Sequence, residues 1–398
     1  MTTLILFAHD YPNGYAMCKR LHIYLKCLNE NNESYELLVL RKNNRTGSGK
    51  YGKVNNFDSV SYTYLLDCFV TQSLILQKIL NSIAVFSVLF YLVQNRRKFK
   101  NVFLVSFGWF DTLLIRILTH FFEMNLAIEV NEKPYVTYGN KSDIKVIKKL
   151  HAYITLNFLY RFIDGFVVIS ENLLQLVQRN PKKNAIFLKV PILVNAVSQE
   201  RKVDLHKKPF LLHAGTLNDQ KDGIIAVLEG FVIAHKKLGG RVQFVFTNRS
   251  TSKKTLNQID TIIEENNLYD DVIFTEYLSN DQLSELMLSC YMAVVNRPEN
   301  EQNYYNFSTK LGEYLSYGIP LISTSQGETA FFLEDNVNCL VVHPNNTEEI
   351  ANSIVKIIEE KSLYHNLSNN ALKLARDKFH YQNYSNSIAE FFKKLNQS

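Results

Sequence analysis

At 398 residues the chain is long enough for two or three domains with sizeable cores, and 46% hydrophobic with 21% charged residues excludes a disordered chain. The five cysteines, Cys18, Cys27, Cys68, Cys290 and Cys339, are scattered with no CxxC pair and no Cys/His cluster, which argues against a disulfide framework or a zinc site and fits a reducing cytoplasm. The net charge of +6 is uneven, with 24 Lys+Arg against 14 Asp+Glu in residues 1–200 and 20 against 24 in the rest, so the first half suits an anionic partner.

The basic half is either a solvated face or one that meets a membrane surface or phosphorylated lipid, with nucleic acid disfavoured because no zinc finger, RNA-recognition signature or helix-turn-helix arrangement is present. The N-terminal MTTLILFAHDYPNG lacks the basic start and cleavage site of a signal peptide and reads as a first strand, TLILFA. Asn13 and Gly14 follow it, where a tight turn brings backbone N–H groups to a phosphate or sugar oxygen, or is a plain turn. After a helix and the strand YELLVLR comes RTGSGKYGK, residues 45–53, whose spacing is wrong for a P-loop and which reads as a loop. In SLILQKILNSIAVFSVLFYLVQNRRKFK, Gln77, Lys78 and Asn81 leave only Ile83 to Val93 unbroken, too short to span a bilayer. This predicts a buried or interfacial helix, with NRRKFK suited to anionic lipid heads.

Next come the strand FLVSF, a helix from Trp109 to Phe121, the strands NLAIEV and GFVVIS, and a helix at ENLLQLVQ. Such alternation implies a parallel sheet with right-handed crossovers. Glu132, just past a strand in EVNEKP, is a candidate polar group near a reacting carbon or acceptor hydroxyl, or else a buried structural carboxylate. His9, at the end of strand one, has the same two readings. The polar KVPILVNAVSQERKVDLHKKP, residues 189–209, reads as a linker. The grammar then restarts with PFLLHAG, a helix from about Gly223 to Lys237, RVQFVFTN, DVIFTE, YMAVVN, CLVVHP and TEEIANSIVKIIEE. An amphipathic helix, HYQNYSNSIAEFFKKLNQS, ends the chain. The expected domains are 1–195, 196–379, and a C-terminal helix at 380–398 packing back on the first. Two such α/β domains leave a cleft facing the carboxyl ends of their sheets, where these folds bind ligands. Neither carries GxGxxG or GxxxxGK[ST], which demotes dinucleotide and P-loop chemistry.

The stretch YYNFSTKLGEYLSYGIPLIST, residues 304–324, predicts a short helix from Thr309 to Tyr317. Ser308 or Thr309 can cap it, and Gly318 and Pro320 end it. Leu311, Tyr314 and Leu315 share one stripe, with Lys310, Glu313 and Tyr317 along its edge. A cation in the first turn opposes the helix dipole by a few tenths of a kcal/mol up to about 1 kcal/mol, and a bound anion removes that conflict. Lys310 with the first-turn N–H groups makes a phosphate site, and Glu313 one turn later a ribose ligand. The alternative is an exposed lysine with an ion-pair partner of small energetic weight.

These residues, with HAGTLNDQKDGIIAVLEGF at 213–231 and STKLGEYLSYGIPLISTSQGETAFFLEDNVNCLVVHP at 308–344, resemble the nucleotide-sugar domain of the retaining glycosyltransferases of family 4. Weaker similarity covers YPNGYAMCKRL and VNEKP. The resemblance implies the α/β GT-B fold, two Rossmann-like doubly wound domains facing a central cleft. It implies sugar transfer, with retention of anomeric configuration, from a nucleoside diphosphate sugar to a saccharide or lipid-linked saccharide. No metal or other cofactor is implied. Bacterial cell-surface polysaccharide assembly is the expected setting, in the cytoplasm or peripheral on the inner membrane face. Lys221 and Lys310 match the positions that hold the diphosphate, assisted at Ser308 and Thr309, and Glu313 matches the ribose carboxylate. Thr216 stands where many members have an arginine, and Tyr305 where they have the first of two glutamates, with Glu299 or Glu301 as replacements. A non-catalytic nucleotide-sugar-binding subunit and a sugar-nucleotide epimerase are the rival readings.

Overall fold

A computed structural model describes residues 2–12, 16–41, 54–66, 74–134, 142–197, 201, 208–249, 251–276 and 278–397. Asn13, Gly14 and the loop at 45–53 lie outside the described residues. The chain divides into two compact units, Met1–Leu193 with Tyr381–Ser398, and Val194–His380.

Along the first unit run β1 (Thr2–Phe7), α1 (Ala16–Glu30), β2 (Tyr35–Arg41), β3 (Val54–Phe57), β4 (Val60–Leu66), α2 (Leu74–Gln94), β5 (Phe99–Val105), α3 (Trp109–Phe121), β6 (Asn125–Val130), α4 (Ser142–Asn157), β7 (Gly165–Val168), α5 (Glu171–Val177) and β8 (Ile186–Lys189). They build an eight-stranded sheet in the order β3-β4-β2-β1-β5-β6-β7-β8, parallel throughout except for the β3–β4 pair. Leu4 to Phe7 and Val102 to Val105 are nearly continuous apolar runs buried to within 1%, as strands covered on both faces must be. From β1 the chain winds outward to β2 and later returns to β5 on the other side, so the topological switch point lies between β1 and β5. Right-handed crossovers therefore set α1 on one face and α3 on the opposite one.

The β3–β4 hairpin and β8 were not among the expected strands. β3 is largely exposed and β8 only half-buried, so neither shows the apolar run or clean alternation that marks a strand in sequence. β5 also begins four residues before FLVSF and takes in the end of NRRKFK, where Lys100 donates to the Asn396 carbonyl instead of standing free for a lipid head.

The second unit contains β9 (Phe210–His213), α6 (Asp219–Asp222), α7 (Ile224–Lys237), β10 (Gln243–Phe246), α8 (Lys253–Glu265), β11 (Val272–Phe274), α9 (Asn280–Ser289), β12 (Met292–Val295), α10 (Glu301–Tyr305), α11 (Thr309–Ser316), β13 (Leu321–Ser323), β14 (Leu340–Val341), α12 (Thr347–Glu359) and α13 (Lys361–Leu374). Its six strands are all parallel in the order β11-β10-β9-β12-β13-β14. The core joins the sheet to α7 and α12, which meet where Gly230 lets the backbones approach: a Cβ there would lie 2.9 Å from the Thr347 carbonyl oxygen. The last helix, α14 (Gln382–Gln397), returns to the first unit, packs on α1 and sets buried Phe391 and Phe392 against the sheet, with Phe392 edge-to-face on Phe103.

Candidate functional site

In the second unit the chain winds outward from β9 to β10 on one side and to β12 on the other, which puts the switch point between β9 and β12. The residues past the carboxyl ends of these two strands are polar and tightly held. After His213, the Ala214 N–H donates to the Tyr314 hydroxyl at 2.7 Å, tying the turn to α11. Gly215 follows at φ +101°, a region that favours glycine, and its N–H donates to Thr247 Oγ1 at 2.8 Å. Asn218 caps α6 by accepting from the Lys221 N–H at 3.0 Å. Past β12, Asn296 donates to the Gly223 carbonyl at 3.0 Å, and Arg297 enters the same space.

A charged cluster fills that space. Lys310 Nζ lies 3.0 Å from Asp222 Oδ2 and 3.2 Å from His213 Nε2, while Arg297 Nη1 reaches Asp222 Oδ1 at 3.2 Å. Arg297 also donates to Asn306 Oδ1. Burial drives His213 down to about 3, and the Lys310 charge pushes it the same way, so the imidazole is neutral and its Nε2 accepts from Lys310. Burial alone would raise the Asp222 carboxyl, but Lys310, His213 and Arg297 outweigh it and hold it at about 2. Lys310 is drawn down by burial, with Asp222 opposing, and Arg297 and Lys221 adding to the depression. The lysine is therefore held between a carboxylate and a neutral histidine. Its aliphatic chain passes the glycine turn so closely that a Cβ on Gly215 would meet Lys310 Cε at 3.3 Å.

α11 ends at Ser316 with Tyr317 as its C-cap residue, and Leu311, Tyr314 and Leu315 are buried while Lys310, Glu313 and Tyr317 are half-buried. One local expectation is corrected. Ser308 occupies the N-cap position and is buried, but its side chain makes no cap hydrogen bond, so the first-turn N–H groups are not taken by it. Thr309, half-buried, opens the helix. Lys221 is half-buried on α6, with its carbonyl accepting from Asn303 Nδ2 at 3.2 Å. Thr216 is exposed and contributes a backbone hydrogen bond to His213. Tyr305 ends α10 with its ring edge-to-face on Tyr304. Glu299 and Glu301 are both exposed, Glu299 accepting from Gln326 at 3.1 Å. On the same short helix, Gln302 Oε1 and Asn303 Oδ1 are buried with no hydrogen-bond partner among the described residues.

Sequence reasoning missed His213, Asp222 and Arg297. The available signal was the KD pair in DQKDG, where a carboxylate directly follows a predicted phosphate-binding lysine.

In the first unit a cavity of about 410 Å³ opens at the carboxyl ends of β1, β5 and β6, with His9, Ser106, Trp109, Asn131, Glu132 and Tyr160 in its lining. Ser106 holds φ +67°, a strained backbone for a non-glycine residue of the kind that concentrates at functional sites. Glu132 and His9 are exposed, so neither is the buried structural group that was the alternative reading. Glu129 supplies that role instead. Its side chain is 1% exposed in the wall and accepts from Arg20 Nε at 2.8 Å. Among the described residues no group of three or more His, Cys, Asp or Glu is placed to hold a metal ion.

Residues 197–374 match the family model described as glycosyl transferases group 1. No curated protein matches the chain in sequence. Solved structures do: sucrose-phosphate synthase from Thermosynechococcus elongatus at TM-score 0.74 and 14% identity, covering 99% of each chain; Anabaena HepE in complex with UDP at 0.68 and 14%, covering 99% of this chain and 100% of that one; and the pneumococcal O-GlcNAc transferase GtfA in complex with UDP and GlcNAc at 0.64 and 13%, covering 100% and 98%. At these identities the likeness is one of fold, and the fold is GT-B.

Proposed function

We propose that this protein, whose residues 197–374 match the model of the glycosyl transferases group 1, moves a sugar from a nucleoside diphosphate donor to a saccharide or lipid-linked saccharide acceptor with retention of anomeric configuration. One observation carries the reading. Lys310 has three N–H donors, Asp222 and His213 take two of them, and the third remains for an oxygen of a bound diphosphate. The uncapped head of α11 supplies backbone N–H groups beside it. Lys310 and Arg297 both pair with the carboxylate of Asp222, and two cations on one carboxylate suit a leaving group that becomes more negative as the bond breaks.

In the reaction proposed, the bond from the anomeric carbon to the diphosphate oxygen breaks and its electron pair leaves with the nucleoside diphosphate. A bond from the acceptor oxygen forms on the same face, and the acceptor proton passes to a diphosphate oxygen. Lys310 and Lys221 stabilise the departing charge. Asp222 and Arg297 act as positioning residues that hold Lys310 in place, and Glu313 binds the ribose hydroxyls. The exposed Glu132, with the Trp109 ring as a flat apolar face, receives the acceptor sugar in the cavity of the first unit. The basic composition of residues 1–200 supports an acceptor bearing anionic groups, such as a growing cell-surface saccharide of a bacterium.

The test is thermal stability with saturating UDP, GDP, ADP or CMP, on the wild type and on Lys310→Ala. A ligand of the native state adds about 2.7 kcal/mol at a hundredfold excess over its dissociation constant. A shift with one nucleotide that disappears in the variant supports the site and names the donor base. No shift with any nucleotide in a folded sample overturns it.

A further inference from the structure

The layer formed by α2, α3, α4 and the turn Leu159–Phe162 is continuous: α2 touches α3, α3 touches the turn, and the turn touches α4. Of the twenty exposed large hydrophobic side chains among the described residues, thirteen lie between positions 83 and 162, on this layer. On α2, Ile83, Phe86, Phe90 and Val93 recur at spacings of three, four and three, which is one helical face, and Phe86 and Phe90 are 66% and 64% exposed. Val88 and Leu92, on the other face of that helix, are fully buried. α4 repeats the arrangement with exposed Val146, Leu150 and Tyr153, and Phe121 at the end of α3 is 78% exposed. A contiguous apolar surface of this kind marks a docking face on a soluble unit.

Charge identifies what docks. Residues 74–162 contain 12 Lys+Arg against 5 Asp+Glu. The α2 stripe runs into exposed Arg96 and Arg97, the former with its guanidinium 6.0 Å from the Phe122 ring centre, and Lys149 and Arg161 are exposed beside the α4 stripe and the turn. Among the described side chains of the layer the acidic ones are the exposed Glu123 and the half-buried Asp111. A second copy of the chain is a poor occupant, because a two-fold interface sets this face against itself and opposes like charges. Apolar side chains bordered by cations match the interface of an anionic bilayer, into which rings and aliphatic groups insert while Arg and Lys meet the headgroups. Among the described residues no helix is long and apolar enough to cross a membrane, so the contact is in the plane of the surface.

We infer that this layer docks the protein on an anionic lipid surface. The inner side of the same layer carries Trp109, Thr155 and Tyr160, which line the cavity of the first unit. On the reading of that cavity as the acceptor site, which this consequence rests on, docking presents it to a saccharide borne by lipid.

The experiment is sedimentation of the full chain with phosphatidylcholine vesicles with and without phosphatidylglycerol, for the wild type, Phe86→Ser/Phe90→Ser and Arg96→Gln/Arg97→Gln. The wild type is expected to sediment with the anionic vesicles and to be released by salt. Each double variant should lose roughly tenfold in partitioning, by loss of apolar insertion or of headgroup attraction, while keeping the wild-type circular dichroism spectrum and nucleotide response. Absence of anionic-vesicle binding by the wild type overturns the inference, as does binding by both variants equal to that of the wild type. It is also overturned by light scattering that shows a dimer abolished by Phe86→Ser/Phe90→Ser with no vesicle binding. The nucleotide response is read separately, so failure of docking with that response intact leaves the proposed transferase activity standing, and the reverse result leaves docking standing.

Discussion

Lys310 Nζ and Asp222 Oδ2 meet at 3.0 Å between the head of α11 and the end of α6, joining residues 88 positions apart. The other carboxylate oxygen is taken by Arg297 at 3.2 Å, and both acid and arginine side chains are only 5% exposed. Burial disfavours the charges of both Lys310 and Asp222 and their partners oppose it: Asp222 supports the charge on Lys310, and the two cations keep Asp222 ionised. The geometry makes Asp222 a positioning residue, whose removal should act on transfer through the lysine.

Asp222→Asn keeps the shape and removes the charge that holds Lys310 protonated. The alkaline limb of the transfer rate is expected to move to lower pH, and kcat/KM to fall by roughly tenfold or more. Stability should fall by about 3 kcal/mol, since Arg297 and Lys310 lose their buried partner. The check is a pH profile beside urea denaturation. An unmoved alkaline limb with a loss of stability would reduce Asp222 to a structural residue.

His213 gives the fold a pH dependence with a definite sign. Its pKa is about 3 in the folded chain, below the ordinary 6.5, so the unfolded state binds the extra proton as pH falls between those values. The stability contributed by the neutral imidazole is present in full above about pH 6.5 and is lost progressively toward pH 3, at about 1.4 kcal/mol per pH unit. Asp222, whose pKa is lowered from 3.8 to about 2, adds a second loss only below about pH 4. Urea denaturation between pH 7 and about pH 4.5 should show the slope in the wild type and a smaller one in His213→Gln. Equal slopes would assign the effect to other groups.

The contrast between Lys310 and its partners shows what is legible in a single chain. Lys310 and Glu313 are visible because their signals are local: a capping position, a helical stripe, and Gly318 and Pro320 at the stop. The long alternation of strands and helices is equally local and conveys the doubly wound architecture. Asp222 and Arg297 lie 75 residues apart and look like ordinary turn residues until β9 and β12 become neighbours. Register and switch-point position, not composition, bring them together. The exposed strand β3 is hidden for another reason, since a strand at the sheet edge buries little and leaves a weak pattern.

Gly215→Ala tests how closely the turn is fitted to Lys310. At φ +101° an alanine is strained, and its Cβ would press on Lys310 Cε at 3.3 Å. The expected result is a stability loss of at least about 1 kcal/mol and a loss of donor affinity on the order of tenfold. Nucleotide titration of folded variant measures it. An unchanged dissociation constant would show that the donor is not held beside this turn.

Trp109→Ala and Glu132→Gln separate the cavity of the first unit from donor binding. Both residues line it. The acceptor KM is expected to rise by roughly tenfold in Trp109→Ala as the apolar face is lost, with nucleotide affinity unchanged. Glu132→Gln should lower kcat more than it raises KM if its carboxylate orients the acceptor hydroxyl. A change in nucleotide affinity in either variant, with acceptor kinetics intact, would move the cavity out of the acceptor pathway.

Metal removal tests whether protein cations alone carry the leaving group. Lys310 and Arg297 share the carboxylate of Asp222, and Lys310 offers its remaining N–H together with the first turn of α11. Transfer by protein treated with chelator is therefore expected to stay within about twofold of the untreated rate, because the electrostatic stabilisation comes from fixed groups of the fold. Magnesium added to Lys310→Ala should not restore transfer, since a divalent ion needs oxygen ligands and the one carboxylate in this cluster is already shared by two cations. The measurement is initial rate with chelator, with chelator followed by excess magnesium, and in the variant under both conditions. A tenfold loss with chelator that magnesium reverses would mean that an ion shares the diphosphate, and Lys310 would then be reassigned to holding Asp222 in place.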